Sequence, residues 1–176
     1  CQKLRQYAQQ QKDIWLLGFS CYYSGETFYV LNDTERLFRY MTRALDCLIR
    51  SSQWELVARA YNILAITSIN RGNAPFAMDY YLNGLSYCEK YGLQEVGSII
   101  NMNIATLYLS VGDDRQAQRY LEDSERMLAR IPDCPNYYIY RTAIYINMGK
   151  CALRQNRLDQ AKKYDEKIQR ECVCYM

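Results

Sequence analysis

One pattern of small residues and turn formers recurs four times along the chain, and it limits the possible folds more than any other feature. Each copy has a glycine or alanine in its first half, at Gly25, Ala65, Ala105 and Gly149. Each has a turn-forming residue seven positions later, at Asn32, Gly72, Gly112 and Asn156. The interval between copies is 40, 40 and 44 residues. Four copies in phase are hard to obtain from unrelated segments, so we predict one structural unit repeated about four times.

The second copy indicates what this unit is. Residues 58–71 place apolar and small side chains on one helical face, and residues 77–88 do the same. Small Ala65 and Ala77 would let two helices approach closely, while Tyr81 would fill the space beside their crossing. Each unit is therefore predicted to be a pair of antiparallel helices.

Extending this spacing over all 176 residues predicts a single all-α domain with four helix pairs. They cover residues 14–50, 53–91, 94–130 and 137–172. Residues 1–13 are polar and rich in helix formers, which predicts a leading turn or the tail of a preceding helix. The chain starts at cysteine rather than methionine, so we expect a piece of a longer protein.

Local signals mark several helix ends. Asp33 is placed to cap one helix, and Ser52 with Glu55 has the spacing of a capping box. Gly92 suits a helix that ends in the left-handed conformation. Pro132 and Pro135 predict an irregular link, because two prolines forbid a continuous helix there.

Composition excludes several classes of function. The 22 Lys and Arg residues and the 19 Asp and Glu residues are interspersed, so no clustered basic face is expected and we predict no binding of nucleic acid. The longest apolar runs, such as residues 14–19, are far too short to cross a membrane. We therefore predict a cytoplasmic module without a membrane segment.

The eight cysteines are scattered, mostly along predicted helices, which indicates small apolar packing residues in a reducing compartment rather than a disulfide framework. Cys172 and Cys174 form a lone C-x-C pair, and the chain has no histidine. A zinc site or another metal site is therefore not expected.

Catalytic patterns are absent from the sequence. Without histidine there is no Ser-His-Asp or Cys-His arrangement, and no glycine-rich phosphate loop occurs. The acidic pair Asp113-Asp114 lies at a predicted helix start, where carboxylates act as caps. We therefore predict no enzymatic activity and no cofactor for this segment.

The alternation of small and large residues at Ala65, Gly72, Ala77, Tyr81 and Gly84 resembles the tetratricopeptide repeat, with longer helices than that family's usual unit. The resemblance covers residues 14–172. It implies a right-handed superhelical array of antiparallel helix pairs, about four repeats of 40–44 residues, whose first helices line a concave surface.

More loosely, an array rich in tyrosine and asparagine is similar to the N-terminal sensory or docking regions of bacterial signalling proteins, including diguanylate cyclases and peptide-sensing regulators. This resemblance implies a non-catalytic module that binds a protein or an extended peptide segment. No output domain of such a protein is visible in this sequence.

The repeat register predicts which side chains line the concave surface. The candidate binding residues are Tyr22, Tyr29, Arg59, Asn62, Asn70, Asn103, Asn147, Lys150 and Arg154. The same register places Phe19 and Ile146 there. Asn62, Asn103 and Asn147 recur at nearly equivalent positions, and an amide can both donate to and accept from a peptide backbone. Lys150 and Arg154, one turn apart, could bind a carboxylate.

Other interpretations remain open at this stage. Asparagine is common on solvated helix faces and in hydrogen bonds between helices, and for Lys150 and Arg154 the alternative is a solvated helix face. The apolar residues Val173, Tyr175 and Met176 end the chain without a polar capping helix. The alternative function is therefore a structural module that forms a homodimer or a larger homo-oligomer, or that packs on a downstream domain.

Overall fold

The computed structural model describes residues 2–173, and side chains as far as residue 170. Over this range the chain forms nine α-helices and no strand, which confirms the predicted all-α fold. The helices are α1 Gln2–Gln10, α2 Ile14–Val30, α3 Thr34–Arg50, α4 Trp54–Asn70, α5 Ala74–Tyr91, α6 Gln94–Val111, α7 Asp114–Leu128, α8 Tyr137–Arg154 and α9 Leu158–Val173. The side chains of Cys172 and Val173, and residues Cys174, Tyr175 and Met176, lie outside the described part.

Consecutive helices pack in pairs, as the repeat predicted: α2 with α3, α4 with α5, α6 with α7, and α8 with α9. The predicted ends of these helices agree with the structure to within about two residues. The N-terminal segment is itself a helix, α1, which packs on α2 and contains the buried Ala8.

The same backbone device ends most of the helices. A residue with positive φ follows the helix, as at Asn32, Gly72, Gly92, Gly112 and Asn156. The next N–H then bonds to a carbonyl five residues back, as Asp33 does to Phe28 at 2.9 Å and Asn73 to Ser68 at 2.9 Å. This Schellman-type closure satisfies the carbonyls at the helix end and turns the chain sharply. The prediction for Gly92, which has φ +67°, is confirmed.

The capping box predicted at Ser52 and Glu55 is wrong. Ser52 takes up the left-handed conformation, with φ +58°, and therefore forms the corner itself. Gln53 is the residue that precedes α4, and it makes no capping bond through its side chain. At the corners of Asn32 and Gly112, the next residue is an aspartate that acts as the cap. Asp33 and Asp113 accept hydrogen bonds from the N–H groups of Arg36 and Gln116, both at 3.0 Å.

Small residues lie where the paired helices cross. Ala65 and Ala105 are completely buried, and Gly25 is buried against Met41. The repeat predicts the same close approach at Gly149, but Gly149 is only half-buried, and a Cβ atom there would lie 3.9 Å from Tyr164 Cβ. The stacked rings of Tyr145 and Tyr164, with centroids 6.1 Å apart, occupy the space between α8 and α9 and leave room for a methyl group at Gly149.

The chain divides into two compact units between Leu93 and Gln94, at the predicted boundary of the second and third pairs. The core of the first unit includes Cys21, Met41 and Leu64. The core of the second unit includes Leu121 and Met148. No helix among the described residues combines the length and hydropathy that a membrane crossing requires.

Four cysteines serve as core residues. Cys21, Cys47, Cys88 and Cys151 are buried with free thiols, and Cys134 is a half-buried free thiol. Burial, with a smaller effect from Glu89, raises the pKa of Cys88 to about 12. Burial raises the pKa of the other three buried thiols as well, so these four stay protonated and act as small apolar side chains.

Two glycines on first helices test the role of close helix approach. At Gly18, a Cβ atom would lie 3.0 Å from Cys47 Cβ and 3.2 Å from Leu48 Cγ, whereas at Gly149 it meets nothing closer than 3.9 Å. Both Gly→Ala substitutions gain the same helix propensity, about 1 kcal/mol. We expect Gly149→Ala to stabilise the protein, and Gly18→Ala to be less stable than Gly149→Ala by about 1–3 kcal/mol because of overpacking. Urea denaturation measures both, and equal stabilities would contradict the packing of α2 on α3.

Candidate protein-binding surface

The solvent-facing side of α2 carries a row of aromatic side chains at Trp15, Phe19 and Tyr23, here called the α2 aromatic row. These residues recur every four positions, so they lie on one helical face. The ring centroids are 5.5 Å apart for Trp15 and Phe19 and 4.5 Å apart for Phe19 and Tyr23. Trp15 is 43% exposed and Tyr23 is 39% exposed. The result is a continuous ring surface in contact with water.

Residues on the opposite side of α2 explain why this row faces outward. Gly18, Cys21 and Gly25 are buried, with Gly18 and Gly25 closest to α3. The N-cap Asp13 accepts from the N–H of Leu16 at 2.9 Å and fixes where the helix begins. With the small residues against α3, the helical period leaves the large rings on the other side.

Tyr22, a predicted groove residue, lies in the core of the first unit and is only 3% exposed. Its hydroxyl donates to Glu26 Oε1 at 2.9 Å, and its ring packs edge-on to Tyr23, with centroids 5.2 Å apart. Burial, with the nearby Glu26 carboxylate, raises the pKa of Tyr22 well above its ordinary value. Tyr22 is therefore a core residue, and its ring packs against Tyr23 of the α2 aromatic row.

The other predicted residues of the first unit have varied environments. Tyr29 is exposed near the end of α2, and Asn70 is exposed at the end of α4. Arg59 is half-buried on α4, with its Nε 2.9 Å from Glu55 Oε1. Asn62 is half-buried one turn further along α4. Helices α2 and α4 contact each other, so Arg59 and Asn62 belong to the helix beside the aromatic row.

In the second unit, the predicted amides lie on α6 and α8, which also contact each other. Asn103 and Asn147 are both half-buried, and Asn147 accepts a 3.4 Å hydrogen bond from the exposed Lys150. The hydroxyl of Tyr140 on α8 donates to Glu95 Oε1 on α6 at 3.3 Å. This bond links the two first helices of the unit.

Helix α8 also carries an exposed aliphatic row at Ile139, Ile146 and Leu153, here called the α8 aliphatic row. The three residues recur every seven positions, and they are 59%, 43% and 57% exposed. They lie opposite the buried face that includes Tyr145 and Met148. The second unit thus also presents apolar side chains to solvent on a first helix.

Arg154 is held by the protein itself. Its Nε lies 3.1 Å from Asp114 Oδ1, and its guanidinium donates to the carbonyl of Leu109. Asp114 Oδ1 is buried and has no well-directed hydrogen-bond donor among the described residues, so the contact is mainly electrostatic. Arg154 therefore ties the end of α8 to the corner between α6 and α7, and a ligand carboxylate would have to compete with Asp114.

Sequence reasoning did not select Trp15, Tyr23, Ile139 or Leu153. The signal was present in the four-residue recurrence of aromatics after Trp15 and in the seven-residue recurrence after Ile139. Apolar residues at helical spacing were instead interpreted as core. No cluster of Asp, Glu, Cys or His able to hold a metal ion occurs in the described portion of the chain.

The fold and this surface define an α-helical array of consecutive helix pairs with apolar rows on solvent-facing first helices. No protein-family model matches the chain. It is similar to the Outer dynein arm-docking complex subunit 4 of Xenopus laevis, with 27% identity over 117 residues. That match covers 66% of this chain and 21% of the docking subunit, so the chain spans about a fifth of that protein.

The fold is also similar to the crystal structure of BtubC (BKLC) from P. vanneervenii, with a TM-score of 0.81 and 17% identity. The match covers 93% of this chain and 66% of BtubC. At this identity the likeness concerns the fold alone. Neither similar protein is named as a bacterial signalling protein.

The different settings of Arg154 and Lys150 give a test of the structure. We expect Arg154→Gln to lower stability by about 1 kcal/mol, because it leaves the partly buried Asp114 without its cation. Lys150→Gln, which removes one positive charge from an exposed position on the same helix, should change stability by less than about 0.5 kcal/mol. Urea denaturation of both variants measures the difference. An equal effect of the two substitutions would show that the contact of Arg154 with Asp114 does not stabilise the protein.

Proposed function

We propose that this chain is a non-catalytic protein-interaction module that binds an extended segment of a partner protein along the solvent-facing sides of its first helices. The α2 aromatic row is the observation that carries the proposal. Three neighbouring rings offer a large apolar contact area at a low cost in side-chain entropy, and such rings dominate the energy of many interfaces.

Polar side chains beside the row would supply the hydrogen bonds that an extended peptide needs. Arg59 and Asn62 belong to α4, the helix next to α2. An amide can pair with both the donor and the acceptor of a peptide unit. In this proposal the rings bind apolar side chains of the partner segment, and Asn62 forms hydrogen bonds with the backbone of that segment.

The comparisons support this class of function at a coarse level. The Xenopus protein is named as a subunit of a docking complex, which is a role in protein assembly. A cytoplasmic sensory or docking role in a bacterial signalling protein is the finer form of the proposal. It rests on the resemblance of the tyrosine- and asparagine-rich repeats alone.

A peptide-display selection tests the proposal. Peptides of about 15 residues selected on the wild-type chain are measured against two matched variants by fluorescence anisotropy. Trp15→Ala with Tyr23→Ala removes two rings of the row. Tyr7→Ala with Phe76→Ala removes two aromatic side chains outside the row that are even more exposed, at 56% and 59%. We expect at least a tenfold loss of affinity for the first variant, about 1.4 kcal/mol, and less than twofold for the second.

Circular dichroism of both variants separates binding from folding. Unchanged helicity with lost binding only in the row variant supports the proposal. Equal affinities for the row variant and the wild type would place the binding surface elsewhere, and the α2 aromatic row would then have no part in recognition.

The α8 aliphatic row favours a second candidate function, homo-oligomerisation. Exposed Ile and Leu at a seven-residue interval supply one of the two apolar positions per heptad through which helices of two chains pack together. Each copy would bury its row of Ile139, Ile146 and Leu153 against the same row of another copy.

Sedimentation velocity over a range of concentrations tests this alternative. If the row forms the contact, the wild-type chain sediments as a dimer and Ile146→Lys as a monomer, because a buried unpaired ammonium opposes the contact. Leu82→Lys, at an exposed position on α5, should leave the dimer intact. A wild-type monomer at all concentrations would exclude this function for the α8 aliphatic row.

A further inference from the structure

A cleft lined by three arginines lies between α1, α2 and α3. It has a volume of about 580 Å³. Arg5 of α1 and Arg36 and Arg39 of α3 line it, together with the rings of Phe28 and Tyr40. No acidic side chain contributes to its described walls. We call these five residues the arginine cleft.

The two rings fix the guanidinium groups in place. Phe28 and Tyr40 stack with centroids 5.3 Å apart. The guanidinium carbon of Arg36 lies 4.6 Å from the centre of Phe28, and those of Arg5 and Arg39 lie 4.8 and 5.5 Å from the centre of Tyr40. Stacking uses the flat face of a guanidinium and leaves the N–H groups on its edges free to donate.

Only one of the three arginines has a carboxylate partner in the described structure. Arg36 pairs with Asp33, and the hydrogen bonds from Arg36 hold the pKa of Asp33 below its ordinary value. Neither Arg5 nor Arg39 makes an ion pair with any described residue. After the Arg36 pair is counted, the cleft therefore carries two uncompensated positive charges.

Arg5 is also positioned by a hydroxyl. Its guanidinium donates to Ser24 Oγ at 3.3 Å, while that hydroxyl donates to the carbonyl of Ser20 at 2.8 Å. Ser24 is thus a positioning residue, and the donors that face the cleft are those of the guanidinium groups.

We propose that the arginine cleft binds a phosphate monoester. Its dianion matches the two uncompensated charges, and its oxygens can accept the paired N–H donors of guanidinium groups. A carboxylate would balance only one of these charges. The volume leaves room for the organic group that bears the phosphate beside the stacked rings. A phosphorylated side chain of a partner segment and a small phosphorylated metabolite share this chemistry.

This site is separate from the α2 aromatic row. Phe28 and Ser24 lie on the flank of α2 that faces α1 and α3, whereas Trp15, Phe19 and Tyr23 lie on the solvent-facing side. Phosphate binding by the arginine cleft is therefore independent of peptide binding by the α2 aromatic row.

Calorimetric titration of the intact chain in 0.15 M salt tests the proposal, with phenyl phosphate, a phosphotyrosine peptide and its unphosphorylated form as probes. The variant Arg5→Gln with Arg39→Gln removes both unpaired cations. Arg50→Gln with Arg126→Gln removes two exposed cations elsewhere, each of which has a nearby aspartate. We expect at least a tenfold loss of phosphate affinity for the cleft variant and less than twofold for the control.

The probes also identify the source of the phosphate. Tighter binding of the phosphopeptide than of phenyl phosphate assigns the site to a modified partner protein, and equal binding assigns it to a small molecule. No binding of either probe at millimolar concentration, or an equal loss in the cleft and control variants, would overturn the proposal. If the cleft variant loses helicity, the single substitution at the exposed Arg39 to Gln replaces it with the same expected loss.

Discussion

Most of the structure depends on one backbone constraint, the left-handed residue that follows most of the helices and reverses the chain. A single residue with positive φ, such as Asn32, Gly72 or Gly112, closes the helix end with a hydrogen bond to a carbonyl five residues back. Because this corner is so short, the following helix returns along the one before it. Helices α2 to α9 accordingly have similar lengths, 15 to 18 residues. The link with two prolines between α7 and α8 is the exception.

The pairing of helices also determines which side chains remain exposed to solvent. A first helix that contacts its partner closely must present small residues to it, as Gly18 and Gly25 do to α3. Large side chains on the same helix are then left on the solvent-facing side or on the flanks. On α2 this puts the aromatic row on one side and the stacked Phe28 beside the arginine cleft on another. Close packing thus leaves two separate surfaces that could recognise a partner or a ligand.

The helix bounds and corners could be predicted from sequence because they depend on local signals: helical period, aspartate caps and turn formers. Ser52 was mistaken for a cap because serine is a common N-cap residue, whereas its backbone here takes the left-handed conformation of the corner. The surface was harder to predict because neighbouring residues on a helix point 100° apart. The register chose Tyr22, which is buried, while the adjacent Tyr23 is exposed. The contact of Arg154 with Asp114 joins residues 40 positions apart, which no local pattern reveals.

Hydroxyl-radical footprinting with mass spectrometry tests most directly whether α2 turns its aromatic row to solvent. The method compares the oxidation rates of individual side chains in the native chain, so Tyr22 serves as an internal control for its neighbour Tyr23. We expect Trp15 and Tyr23 to be oxidised several times faster than the buried Tyr22 and Tyr81, which are 3% and 1% exposed. Oxidation of Tyr22 as fast as that of Tyr23 would contradict the orientation of α2 and the binding surface inferred from it.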